Sequence, residues 1–149
     1  MATTTQESAV QTVEITKTEE IAAPIATVWE ALLEQLGPGS ELGPGQSMPM
    51  VLEAWPGGRW YRDLGRQSGH FWGHVQVIKP PALLEITGPL FMSYPAVSHV
   101  QYRLAEEGGR TRLTLLHRAI GRISADHQDG MNKGWAFIAG RIRERAERR

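Results

Sequence analysis

The stretch Asp126–Arg149, DHQDGMNKGWAFIAGRIRERAERR, decides how this chain folds. Its apolar residues are spaced three or four positions apart, which places them on one stripe of a helix, at Met131, Trp135, Ile138 and Ile142. Asp126 is expected to cap the start of this helix, and the arginines at its end suit the negative end of the helix dipole. Because the remaining positions are mostly polar, the stripe must pack against an apolar surface elsewhere in the chain.

The middle of the chain supplies that surface as short predicted strands separated by turns. They cover residues 13–21, 50–54, 59–64, 70–78, 83–87, 98–104 and 111–119. An amphipathic helix runs from Pro24 to Leu36, and Gly37 is expected to end it in a left-handed cap. This order predicts an α+β helix-grip fold: a curved antiparallel sheet of about six or seven strands wrapped around a long C-terminal helix.

Residues 37–49, GPGSELGPGQSMP, follow the first helix and are too rich in Gly and Pro to form a long helix. A loop of this length is unusual in a compact domain. Two interpretations stay open, a plain connector and a mobile rim of a ligand cavity.

Length and composition indicate one domain over residues 13–149, preceded by a flexible segment over residues 1–12. The 149-residue chain carries 16 Lys+Arg and 16 Asp+Glu, so its net charge of zero argues against a nucleic-acid partner. No apolar run reaches the ~20 residues of a membrane span, and the start lacks the features of a secretory signal. We therefore expect a cytoplasmic protein with no nucleic-acid or membrane partner; a homodimer is left open.

The five histidines and the absence of cysteine give no sign of a metal centre. His70 and His74 lie on one predicted strand, about 13 Å apart at ~3.3 Å per residue. One metal ion needs ligand nitrogens at ~2.1 Å, so these two side chains cannot bind it together. We expect no metal and no cofactor.

The alternation of the last strand places His117 inside the fold. Thr111, Leu113, Leu115 and His117 share one parity, and the two leucines must face the core. His117 is then either a buried histidine bonded to its neighbours or a polar contact to a ligand, where it could act as a general base.

Three other strands carry candidate site residues whose faces follow from parity. Trp60, Arg62 and Leu64 share the inward parity on one of them, and a buried Arg62 would need a partner such as Glu85 or an anionic ligand. The side chain of Arg62 could instead reach the rim. The alternative register, with Leu84 and Ile86 inside and Glu85 in water, is slightly preferred. Phe71, Val75 and Val77 are placed opposite His70, Trp72 and His74, so Trp72 is expected to be exposed and to offer a partner surface.

Five short motifs together resemble one protein family. They are Trp55-Pro-Gly-Gly-Arg-Trp60, Gly73-His-Val75 running into Lys79-Pro-Pro81, the hairpin from Gly108 to Leu113, His117, and Gly134-Trp135. In this order they resemble the SRPBCC (START-like, birch-pollen-allergen-like) superfamily, in the branch of the activator of the heat-shock-protein-90 ATPase. Members often carry a second short helix where this chain has its Gly/Pro stretch.

The resemblance implies a hydrophobic cavity between the sheet and the C-terminal helix, and the function expected first is binding of a small apolar or aromatic, polyketide-like molecule there. The residues expected to line it are Met50, Trp60, Arg62, Phe71, Val75, Phe91, Tyr94, Tyr102, Leu115, His117, Met131, Trp135 and Ile138. Two alternatives are an enzyme of modest acid–base chemistry using His117 with Tyr94 or Arg62, and a co-chaperone-like interaction domain using Trp72. Fold alone does not decide between them.

Overall fold

The structure is a computed structural model that describes residues 9–149. Most of the segment 1–12, expected to be flexible, lies outside the described residues, and Gln11 and Thr12 already belong to the first strand. The helices are α1 (Ile25–Leu36) and α2 (Ala125–Glu147). The strands are β1 (Gln11–Ile21), β2 (Glu41–Gly43), β3 (Gln46–Ser47), β4 (Val51–Leu52), β5 (Arg59–Gly65), β6 (Ser68–Lys79), β7 (Leu83–Gly88), β8 (Ala96–Glu107) and β9 (Arg110–Gly121).

Seven strands form one antiparallel sheet in the order β1-β9-β8-β7-β6-β5-β4, and both helices pack on its inner face. The helix-grip prediction is confirmed. On β9 the buried residues are Thr111, Leu113, Leu115, His117 and Ala119, which is the predicted alternation. No helix among residues 9–149 is long and apolar enough to cross a membrane.

Helix α2 buries the predicted stripe but begins differently from the prediction. Met131, Trp135 and Ile142 are buried and Ile138 is half-buried. Ser124, not Asp126, is the N-cap: its Oγ accepts a hydrogen bond from the backbone N–H of His127. The first backbone N–H groups of a helix have no partner within the helix, and the Ser124 hydroxyl accepts from one of them. Asp126 therefore lies in the first turn and is not the capping residue.

The Gly/Pro stretch holds the small hairpin β2–β3, which polar contacts tie to both helices. The Glu41 carboxylate accepts hydrogen bonds from Arg141 Nε at 2.9 Å and from Gln35 Nε2 at 3.2 Å. Arg145 donates to the Gly39 carbonyl at 2.7 Å. Burial alone would raise the pKa of Glu41, but these hydrogen bonds and the charges of Arg141 and Arg145 outweigh it and lower the pKa. These contacts favour the interpretation of the stretch as an anchored connector.

The end of α1 corrects one expectation. Gly37 has φ −110° and ψ −120°, so it does not adopt the left-handed cap. Its N–H instead bonds the Glu34 carbonyl at 3.2 Å, which closes the last turn tightly.

Strand β6 departs from simple alternation because it carries two extra residues. Opposite β5, Gly73 pairs with Trp60 and Phe71 pairs with Tyr61, so Trp72 has no partner of its own. Opposite β7, Val75 pairs with Ile86 and Val77 with Glu85. Each such bulge reverses the faces of the residues beyond it.

These irregularities overturn five predicted orientations, one of which is that of His70, now beside Trp72 on the inner face. Trp72 is half-buried against the core, whereas Phe71 is 39% exposed on the outer face. Val77 pairs with Glu85 on the outer face, away from the buried Val75. Leu64, beside a further irregularity between Asp63 and Gly65, is 60% exposed. The preferred register of β7 is correct, since Leu84 and Ile86 are fully buried.

Two glycines in α2 give a prediction about stability. A β-carbon at Gly130 or at Gly134 would meet no other atom within 4 Å, and both positions are exposed. Glycine in a helix interior costs about 0.5–1 kcal/mol relative to alanine. Gly134→Ala should therefore raise the free energy of unfolding by about 0.5–1 kcal/mol, measured by urea titration.

Gly88→Ala is the matched control, with the opposite sign expected. A β-carbon at Gly88 would lie 2.4 Å from the carbonyl oxygen of Trp72, because the bulge brings β6 against the end of β7. If Gly134→Ala instead lowered the free energy of unfolding, glycine would be needed at this position for a close contact that the structure does not show.

Candidate functional site

Five aromatic side chains pack together between the sheet and α2, and we call them the aromatic cluster: Trp60, Trp72, Phe91, His117 and Trp135. Trp60 and Trp72 meet edge to face at 4.9 Å between ring centroids, and Trp72 meets Phe91 at 5.7 Å. Phe91 in turn lies 6.1 Å from Trp135 and 6.4 Å from His117. Such edge-on contacts are favourable for aromatic rings. Phe91 is therefore the ring that joins the sheet side of the cluster to the helix side.

His117 is the polar centre of the cluster, and both of its ring nitrogens are occupied. Trp135 Nε1 donates to His117 Nδ1 at 2.8 Å, and His117 Nε2 lies 2.9 Å from Ser98 Oγ. An indole N–H can only donate, so Nδ1 carries no proton and Nε2–H donates to the serine. Burial lowers the pKa of His117 from its usual value to about 4. The histidine is thus neutral at pH 7, and its lone pair is already used.

The inward position predicted for His117 is confirmed, and its contacts are those of a buried histidine bonded to its neighbours. A general base needs a lone pair within reach of the substrate proton. Here the Nδ1 lone pair faces Trp135, and the side chain is 0% exposed. This arrangement gives no support to His117 as a base.

The outer end of the cluster is formed by Phe91, Tyr94 and His127, which are all half-buried. Phe91 and His127 lie 5.8 Å apart between ring centroids, and the Tyr94 hydroxyl is hydrogen-bonded to His127 Nδ1. Burial raises the pKa of Tyr94, so the phenol is neutral at pH 7. The bond ties residues 89–95, which form neither helix nor strand, to the first turn of α2.

Residues 89–95 are held by their neighbours on either side of Phe91. Leu90 and Met92 are buried, and the Leu90 N–H donates to the carbonyl of Trp72 at 2.8 Å. Leu90 has φ +55°, a left-handed conformation that is uncommon for a leucine. Strained residues of this kind often occur beside binding sites, where the surrounding structure holds them in place.

A polar group lies on the β5–β6 side of the cluster. Trp72 Nε1 donates to His70 Nδ1 at 3.2 Å, and the two ring centroids are 6.1 Å apart. Arg62 is directly opposite His70 in the sheet, and both are half-buried. Glu85 is not the partner of Arg62, since it faces outward and bonds His99 and Gln101 at 3.1 and 2.8 Å.

The other predicted lining residues divide into core and surface. Those buried in the core are Met50, Val75, Tyr102, Leu115 and Met131. The Tyr102 hydroxyl has no hydrogen-bond partner among residues 9–149, and burial raises its pKa. Ile138 packs half-buried against the core, and Phe71 lies on the outer face as already corrected.

Three residues of the site were not predicted: Trp72 on the inner face, His70 beside it, and His127 at the outer end. The first two were assigned wrongly because a bulge cannot be read from alternation. His127 precedes the helical stripe by four residues and shares its period with Met131, which is the signal that could have found it.

Several surface openings lie away from the aromatic cluster. One groove of about 600 Å³ is on the outer face near Val97 and Ile120, and another of similar volume lies between hairpin β2–β3 and α2. Within residues 9–149, no three side chains of His, Asp or Glu come together as a set of metal ligands.

Comparison with known proteins gives a family and a fold. Residues 22–147 match the family described as Activator of Hsp90 ATPase homolog 1-like protein. No curated protein sequence matches the chain significantly.

Several solved structures share the fold. An uncharacterized protein from Rhizobium leguminosarum has 16% identity and a TM-score of 0.72, with 95% of this chain and 98% of that chain covered. A protein from Mesorhizobium loti has 19% identity and a TM-score of 0.66, with coverage of 93% and 98%. A protein in the dynemicin biosynthetic locus has 19% identity and a TM-score of 0.62, with 88% of this chain and 46% of that chain covered. Identities this low show the fold alone.

Proposed function

The chain belongs to the Activator of Hsp90 ATPase homolog 1-like family, and on that premise we propose that it binds a small aromatic or polyketide-like molecule between the sheet and α2. The observation that carries the proposal is the aromatic cluster, which runs from the buried rings of Trp60 and Trp135 to the half-buried ring of Phe91. Ligand sites are mostly apolar and contain few polar groups, and this one has that composition.

Phe91 takes the central place in this proposal. Its ring fills the middle of the cluster, and it belongs to a segment without helix or strand. An incoming aromatic molecule would displace this ring and make ring contacts with Trp72 and Trp135 in its place. Leu90, in its uncommon backbone conformation, is the residue about which the segment would turn.

The two alternatives are supported less well. Catalysis by His117 needs a free nitrogen, and both of its nitrogens have partners inside the protein. A partner surface on Trp72 needs an exposed indole, and this indole packs against Trp60 and Phe91. Binding without chemistry is therefore the function that we propose.

The test is a titration with N-phenyl-1-naphthylamine, a neutral aromatic probe whose emission rises in an apolar environment. We expect saturable binding with quenching of tryptophan emission. Trp72→Ala should weaken the binding by about 1–3 kcal/mol, the scale of one large side chain in contact with a ligand.

Trp55→Ala is the matched control, because Trp55 is 58% exposed and outside the aromatic cluster. It should leave the affinity unchanged. Equal affinities in both variants, or a probe seen by NMR in the groove near Val97 and Ile120, would refute binding at the cluster.

A further inference from the structure

We propose that the ligand is an anion, an aromatic carboxylate whose acid group pairs with Arg62 and His70. This inference rests on the proposed function and adds the chemical class of the ligand. It starts from the side of the sheet on which Arg62 lies. Trp60 is buried on the inner face, and the ring of Tyr61 lies on the other face under the Arg59 guanidinium, 4.8 Å from it. Alternation then brings Arg62 back to the inner face, beside the aromatic cluster.

Arg62 has no carboxylate partner in the part of the chain that the structure describes. Two carboxylates that could be considered are used elsewhere: Asp63 accepts from the backbone N–H of Gly65 at 2.8 Å, and Glu85 bonds His99 and Gln101 on the outer face. No hydrogen bond or ion pair of the Arg62 side chain occurs among residues 9–149. A half-buried arginine without a counter-ion favours an anion from outside the chain.

His70 adds a second donor at the same place. Its Nδ1 accepts from the indole N–H of Trp72, so the proton of the neutral ring is on Nε2. His70 and Arg62 are direct cross-strand neighbours, and such pairs have β-carbons about 4.5–5.5 Å apart. The site therefore presents a guanidinium and an imidazole N–H next to an aromatic wall.

A planar aromatic acid fits this combination. Its ring would lie against Trp72 and take the place of Phe91, while its carboxylate accepts charge-assisted hydrogen bonds from Arg62. A neutral ligand of the same shape would fill the apolar part, but it would bring no negative charge to pair with the guanidinium. Arg62 and His70 would therefore select a ligand by its negative charge.

The experiment compares 2-naphthoate with 2-naphthamide, which has the same ring and no charge, by isothermal titration calorimetry at low salt. We expect the acid to bind about 10-fold more tightly than the amide, and we expect this preference to shrink in high salt. Arg62→Gln should remove the preference, because it lowers the affinity for the acid far more than the affinity for the amide. Arg62→Lys should keep part of it, since the charge stays and the fork geometry is lost.

Arg66→Gln is the matched control, because Arg66 is an exposed arginine in the adjoining β5–β6 turn. It should keep the full preference. If acid and amide bind equally, or if Arg62→Gln keeps the preference, the anion inference is overturned while aromatic binding stands. If neither compound nor the neutral naphthylamine probe binds, the proposed function itself fails.

Discussion

Replacing Trp135 by alanine is expected to lower the free energy of unfolding by about 3–5 kcal/mol, the range for a large buried aromatic side chain. Trp135 is 2% exposed and contacts both Phe91 and His117. Its removal leaves a space in the middle of the aromatic cluster. It also takes away the donor to His117 Nδ1, and an unsatisfied buried acceptor adds its own cost. We therefore expect a loss at the upper end of the range, measured by urea titration.

Two variants separate the causes of this loss. Trp135→Phe keeps one aromatic ring but loses the five-membered ring of the indole with its N–H, so its stability should fall between those of wild type and alanine. Trp55→Ala removes a tryptophan that is 58% exposed and should change stability by less than about 0.5 kcal/mol. A loss below about 1 kcal/mol for Trp135→Ala would mean that α2 is not docked on the sheet through this side chain.

Long, unbroken periodic patterns were the part of the fold that could be predicted from sequence. The stripe of α2 repeats over four turns, and β9 alternates over its whole inner face, so Trp135 and His117 were both placed correctly. In each case several apolar side chains agree on one face, and the cost of exposing them all fixes the orientation.

Strand β6 could not be predicted in the same way. It has two extra residues, and each reverses the faces that follow, so Phe71 and Trp72 exchanged their predicted places. The glycines at Gly73 and Gly88 mark the close approach of the strands there, but a glycine in a strand does not say which neighbour is the extra residue. The site depends on this bulge, because it brings Trp72 and His70 to the inner face.

The hydrogen bond between Trp135 and His117 also could not be predicted from the sequence. Trp135 and His117 were each assigned to the interior, but their hydrogen bond depends on the position of α2 along the strands of the sheet. Periodicity gives the face of an element and not its position along a neighbour. Both ring nitrogens of His117 are hydrogen-bonded inside the protein because α2 has this position along the sheet. These two bonds argue against catalysis by His117.

Acid is expected to destabilise the protein through His117. Burial lowers the pKa of this histidine to about 4 in the folded chain, against about 6.5 in an unfolded one. Between these values the unfolded chain binds a proton that the folded chain does not, so stability falls as the pH decreases from 6.5 towards 4. The contribution of this one group between pH 7 and pH 5 is about 2 kcal/mol, at about 1.4 kcal/mol per pH unit.

The measurement is the free energy of unfolding from urea titrations at pH 7, 6 and 5, in wild type and in His117→Gln. Glutamine can accept from Trp135 or donate to Ser98, and it does not titrate. The exposed histidines and the carboxylates are common to both proteins, so their contributions cancel in the difference. We expect wild type to lose about 2 kcal/mol more than the variant over this range. Equal losses would mean that His117 is protonated in the folded protein over this range. A charged ring could not keep the bond from Trp135, because both of its nitrogens would then be donors.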